Sequence, residues 1–271
     1  SSMIDNLMIS KSPSPDLPAD FGGGFIKILT KNMPDENFTN ISYGLSYETG
    51  TTFSDFKIVP GGKTNFLGFD DGTRALPSEF PSSLRGLSRE QLAQLARKMN
   101  NNWDAEPKTA FFNQSMSLNL GRRYKINDKN LGMITSLNYS FSSNKDDVTN
   151  KGYQAARYPD GTPYYNFDYN DEKYAQKARL GLLHNWSLFP GRGRKIEYRT
   201  LISLIGQNES IIRNGLNNYE GRIIRSYENS YMSRLTYSGQ LGYEKKYSDE
   251  KTKIDALAGY SYANRNEPDI K

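Results

Sequence analysis

Ser115-Met116-Ser117-Leu118-Asn119-Leu120-Gly121-Arg122-Arg123-Tyr124-Lys125 alternates apolar and polar residues with a period of two. That period sends successive side chains to opposite faces of a β-strand. Met116, Leu118, Leu120 and Tyr124 share one face; Ser115, Ser117, Asn119, Arg123 and Lys125 share the other. The pattern recurs and predicts strands over about 110–126, 131–143, 173–189, 195–208, 229–247 and 253–263. An earlier stretch, Phe38 to Tyr47, sets Ile41, Tyr43, Leu45 and Tyr47 on one face and makes seven strands in all. The breaks between strands are rich in Gly, Asn, Asp and Lys, and they alternate in length. Residues 127–130, 190–194 and 248–252 read as short turns; 49–107, 144–172 and 209–228 read as long loops.

Short turns at one end and long loops at the other are how a transmembrane antiparallel β-barrel is built. Strands of roughly 14 to 20 residues exceed the ~9–11 that cross a bilayer, so they are expected to project above it. The mean hydropathy of −0.75 excludes transmembrane helices, and no apolar run approaches the ~20 residues a spanning helix needs. A barrel is compatible with that value, because only every second residue of its strands meets lipid. Nineteen Tyr and thirteen Phe against two Trp suit strands and interfacial girdles.

The 271 residues contain no cysteine, hence no disulfide framework and no thiolate metal site. The net charge is +5, but Lys and Arg are scattered rather than clustered with stacking aromatics, which argues against nucleic acid as a partner. Ser1-Ser2-Met3 lacks the basic start and apolar segment of a signal peptide, so for a secreted protein the natural N-terminus is expected upstream.

Residues 1–37 differ from the rest. Lys11 to Pro18 is a Pro-rich connector, and Ala19-Asp20-Phe21-Gly22-Gly23-Gly24 is a glycine turn feeding the strand Phe25 to Lys31. In the long connection, Ser88 and Gln91 form a capping box ahead of a helix carrying Leu92, Leu95, Ala96 and Met99. Asp70-Asp71-Gly72 in the same connection lacks the oxygen spacing of a calcium loop and reads as a turn held by its own carboxylates.

Ser12 to Gly24, ending in Ile28-Leu29-Thr30-Lys31, resembles the end of the plug domain of TonB-dependent outer-membrane receptors. In that family a Gly-Gly turn and a short strand ending Thr-Lys close the plug, and the barrel begins directly afterwards. Pro-Asp-Leu-Pro-Ala-Asp-Phe, with Leu67-Gly68-Phe69-Asp70-Asp71-Gly72-Thr73-Arg74, resembles the subgroup carrying an immunoglobulin-like, carboxypeptidase-regulatory-like front domain. The resemblance implies a plug end over 1–34 and the N-terminal part of a plugged barrel over 35–271. Such barrels have 22 strands around the plug, and seven alone leave two unpaired edges and an apolar face. The chain is therefore expected to be a fragment.

The implied function is energy-coupled import of a bulky nutrient across the outer membrane of a Gram-negative bacterium. The implied partners are outer-membrane lipid, a TonB-type coupling complex acting through an N-terminal segment not in this sequence, and a surface lipoprotein. Asp20, Phe21, Gly22, Gly23 and Gly24 are the expected gating residues. Trp103, Tyr158, Tyr164 and Tyr165 are candidate ligand contacts, chosen as loop aromatics. The alternative is a passive structural or adhesive β-barrel protein. Catalysis is not expected: His184 is the only histidine, it falls among Leu180, Leu182 and Trp186, and no acid is in register with it. No cofactor or metal is implied.

Overall fold

The computed structural model describes residues 4–12, 24–31, 33–99, 102–247 and 252–270. Asp20, Phe21, Gly22 and Gly23 lie outside this set, as do residues 248–251 of the third short turn. Strands make up 66% and helix 5%, so the protein is all-β, and its strand pairs are antiparallel.

Strands β1 (Ile4–Ser10) and β2 (Phe25–Thr30) form a ribbon of their own. Strand β3 (Phe38–Ser46) opens the main sheet. The chain then leaves it for a small ribbon of β4 (Asp55–Ile58) and β5 (Glu106–Thr109). Between these two come a single 3-10 turn (Asn65–Leu67) and helix α1 (Arg89–Lys98). The helix starts where expected: Ser88 Oγ accepts from Gln91 N–H, and the Gln91 side chain accepts from Ser88 N–H. Those two bonds satisfy backbone donors that the first turn otherwise leaves orphaned.

Six long strands complete the sheet: β6 (Asn113–Ile126), β7 (Lys129–Arg157), β8 (Pro163–Gly191), β9 (Arg194–Asn217), β10 (Arg222–Lys246) and β11 (Lys253–Ile270). The order across it is β11-β10-β9-β8-β7-β6-β3. Seven strands match the number read from the sequence. Among the described residues β3 and β11 each keep one edge unpaired, so the sheet is open and no closed barrel is present.

The long loops at 144–172 and 209–228 are corrected. Ladder pairing between β7 and β8 continues through Asp147↔Glu172 and Val148↔Asp171 to Gly152↔Phe167. Pairing between β9 and β10 continues to Asn217↔Arg222. The true connections are tight turns, one around Tyr158–Thr162 and one around Asn218–Gly221. The expected short turn at 127–130 narrows to Asn127-Asp128, whose φ of 46° and 60° mark a mirror-image hairpin turn. Such turns match the right-handed twist of the strands they join.

Candidate functional site

Directly opposed residues share a face of the sheet, so the register sorts side chains across all seven strands. One rung runs Ile41, Leu118, Leu137, Leu182, Ile202, Tyr237, Tyr262. The next runs Tyr43, Met116, Tyr139, Leu180, Leu204, Leu235, Asn264. Toward the short turns the same face carries Met133, Trp186, Tyr198 and Leu241, then Tyr124, Leu131, Leu188, Ile196 and Tyr243. Many of these side chains are uncovered: Ile41 is 69% exposed, Tyr43 61%, Leu241 51% and Tyr260 65%. The uncovered band from Leu188 to Leu180 rises about 26 Å along its strand, at ~3.3 Å per residue. At a tilt of ~40° that is about 20 Å in height, against the ~25 Å of a barrel's apolar band.

The other face is polar. Ser117, Asn119, Asn138, Arg179 and Arg234 stand there, as the alternation requires. Leu183, Leu201, Ile205 and Leu257 are apolar interruptions. Near the short turns this face is covered: Ile134, Ser136, Asn185 and Ser187 are all buried. The segment after β2 lies against it. Met33 sits over Gly132, where a Cβ would stand 2.9 Å from Met33 Cγ. Arg123 reaches the Asp35 carbonyl at 2.7 Å, and its own N–H donates to Asn37 Oδ1 at 2.6 Å.

Above the band, the apolar-side face changes character and is roofed by residues 51–74. Phe56 and Ile58 of β4 bury against Tyr174 and Ile212, with Phe56 and Tyr174 edge to face at 5.3 Å. Val59 N–H donates to Ser210 Oγ, and Asn208 Nδ2 donates to Val59 O. Gly68, at φ +94°, lies on Gly206 so closely that a Cβ there would stand 2.5 Å from Gly68 Cα. Only glycine allows backbones this near, and only glycine holds that φ without strain.

The strap ends in a buried charge pair. Arg74 Nη1 donates to Asp70 Oδ1 at 2.8 Å and to Asn65 Oδ1 at 2.9 Å. The side chains of Arg74 and Asp70 are 5% and 6% exposed. The guanidinium lies 4.1 Å from the centroid of the Tyr231 ring, a cation–π contact strengthened by desolvation. Burial pushes the Tyr231 phenol up to about 12. The neighbouring Asp71 accepts from Thr73 Oγ1 and from the Thr73 and Lys63 N–H groups. The Thr73 hydroxyl, then the Lys63 amide, hold its carboxyl below the usual range. These aspartates thus hold turns, as their spacing predicts.

The candidate ligand aromatics fall in two places. Tyr158 and Tyr164 pair at the tip of the β7–β8 hairpin, with centroids 5.1 Å apart, and Tyr165 pairs with Tyr153 at the same separation. Trp103 lies elsewhere, beside Ile212, Arg225 and Tyr227 in a cleft of about 350 Å³. Gly24, the one described gating residue, directly precedes β2. Sequence reasoning missed the polar anchor below the tip. Arg213 grips Asp171 through Nε at 2.8 Å and Nη2 at 2.7 Å, and it lies 4.7 Å from the Tyr169 ring, itself stacked on Phe167. The Arg213 hydrogen bonds hold the Asp171 carboxyl below its ordinary range.

His184 lies on the apolar face, with its Nδ1 2.9 Å from Thr135 Oγ1. A hydroxyl is within reach, but among the described residues no carboxylate completes a nucleophile–base–acid set. Among the described residues no three His, Cys, Asp or Glu side chains gather in a metal-holding group. Comparisons with protein-family models, curated proteins and solved structures returned no match.

Proposed function

We propose that this chain is the end of a plug and the opening strands of a TonB-dependent outer-membrane barrel that imports a bulky nutrient. The observation that carries the reading is the exposed apolar band on one face of the sheet, about 20 Å tall at a barrel's usual tilt and close to the ~25 Å apolar belt of such barrels. The polar face, with residues 33–37 against it, supports its assignment to a lumen holding the plug. The tight turns at 127–128 and 191–193 then face the periplasm. The tall hairpins ending at 158–162 and 218–221, with the strap, stand outside the cell. Arg179 and Arg234, exposed on the polar face, line the path.

Sidedness is tested by protease on intact cells. Cleavage is expected within 76–87 and at the hairpin tips, and none at Gly191–Arg194. Cutting at Arg192 from outside reverses the topology and removes the reading.

Transport is tested by Gly23→Val. A β-branched residue in the glycine turn costs about 1–3 kcal/mol where the backbone needs positive φ. It is expected either to raise sensitivity to vancomycin, too large for ordinary porins, or to abolish energised uptake. A variant that inserts normally and matches wild type in both properties sinks the plug assignment.

A further inference from the structure

The last wholly apolar rung at the short-turn end is Tyr124, Leu131, Leu188, Ile196, Tyr243 and Ala256. One step beyond it on the same face the rung is mixed: Lys129 stands beside Ile126, and Arg194 and Lys245 beside Ile254, with Arg192 in the adjoining turn. The register sets Arg194 directly opposite Lys245. Like charges so placed destabilise a sheet pair.

The opposite face at this level is arranged the other way. Lys195 lies 3.1 Å from Glu197 and 3.7 Å from Glu244, while Lys253 lies 3.4 Å from Glu244 and 2.9 Å from Asp255. Among the described residues, charges are matched on the polar face and unmatched on the apolar one. Lys129, Arg192 and Arg194 make no ion pair with a described carboxylate, and Lys245 Nζ rests 4.0 Å from the Tyr247 ring centroid. An open cleft of about 890 Å³ runs across this end of the sheet, lined by Arg192, Lys245 and Tyr247 and, from the polar side, by Lys246 and Lys253.

We propose that this basic row binds the phosphate of an anionic phospholipid headgroup in the leaflet beside the short turns. The inference rests on the membrane reading, because it needs the apolar rungs to lie in acyl chains. Two residues past the last rung advance about 6.6 Å along the strand, or about 5 Å along the bilayer normal. That depth is the headgroup layer, where tyrosines such as Tyr243 and Tyr247 are favoured. The Arg194 fork suits a phosphate's paired oxygens, and Lys245 adds a point charge beside it. A bound phosphate also relieves the repulsion between the two.

The test uses the protein in detergent, with Trp103→Phe leaving Trp186 as the sole tryptophan. Dioctanoyl phosphatidylglycerol, dioctanoyl phosphatidylcholine and inorganic phosphate are titrated separately. In parallel, quenching of Trp186 by brominated acyl chains reports lipid contact of the band. Phosphatidylglycerol is expected to bind in preference to phosphatidylcholine. The double variant Arg194→Gln, Lys245→Gln is expected to weaken it about thirtyfold, the effect of two basic residues at an anionic surface, with Trp186 quenching unchanged. Equal binding of the two lipids, or undiminished binding in the double variant, overturns the inference and leaves the membrane reading intact. Inorganic phosphate binding as tightly as the lipid overturns the lipid as occupant. An unquenched Trp186 in the wild type removes the membrane reading and this inference together.

Discussion

Leu182→Arg is expected to cut the yield of folded, membrane-inserted protein severely, and Leu137→Arg with Leu182→Arg to abolish it. Leu137 and Leu182 are cross-strand partners in the middle of the apolar band. An arginine at the bilayer midplane of a barrel costs about 2–4 kcal/mol. Two of them approach the whole of an ordinary stability of about 5–15 kcal/mol. The control is Ser203→Arg on the other face, opposite Gly181 and Thr236. It is expected to fold nearly as well as wild type. The measurement is the heat-modifiable band in cold electrophoresis of outer membranes. Equal yields for Leu182→Arg and Ser203→Arg overturn the assignment of faces.

The second large effect is expected at the strap. Arg74→Ala strips the buried Asp70 of its partner, and breaking a buried pair from one side costs about 3–5 kcal/mol. The loss falls on the docking of 51–74 rather than on the strand ladder, so the strap should open while the sheet stays intact. Trypsin cleavage at Lys63 is expected to speed up by on the order of a hundredfold, since each ~1.4 kcal/mol is a factor of ten. Removing both partners in Asp70→Ala, Arg74→Ala should recover part of that protection, because no lone charge is then left buried. Arg74→Lys should not rescue, since a compact ammonium loses the planar guanidinium's stacking on the Tyr231 ring. Unchanged cleavage in Arg74→Ala refutes the clasp.

What could be read from the chain alone was what repeats locally. Met116, Leu118 and Leu120 reveal their strand because apolar-side and polar-side residues differ in kind. The same rule failed at Asn144-Lys145-Asp146-Asp147, which is strand yet polar on both faces. Above the band neither face meets a uniform solvent, so alternation fades while the backbone ladder continues. The Ser88 capping box and the Asn127-Asp128 turn were legible because their physics spans only a few residues. The Arg74–Tyr231 contact and the Asp171–Arg213 clamp were not, since the docking of the strap makes the first and the β8–β9 register makes the second. Aromatic content pointed to Tyr158, Tyr164 and Tyr165, but it could not separate them from Trp103.

The strap also has a consequence in time. Hairpins such as β6–β7 close over two residues, whereas Val59 meets Asn208 and Ser210 across 149 and 151 residues. Closing a long loop carries a larger entropy cost, and non-local contacts form late. The surface that receives the strap needs Asn208 and Ser210 on β9 and Tyr231 on β10 already side by side. Residues 51–74 leave the ribosome early and reach their place late. Order of synthesis and order of completion are thus inverted: an early-made segment closes over strands made after it and reports that they have assembled.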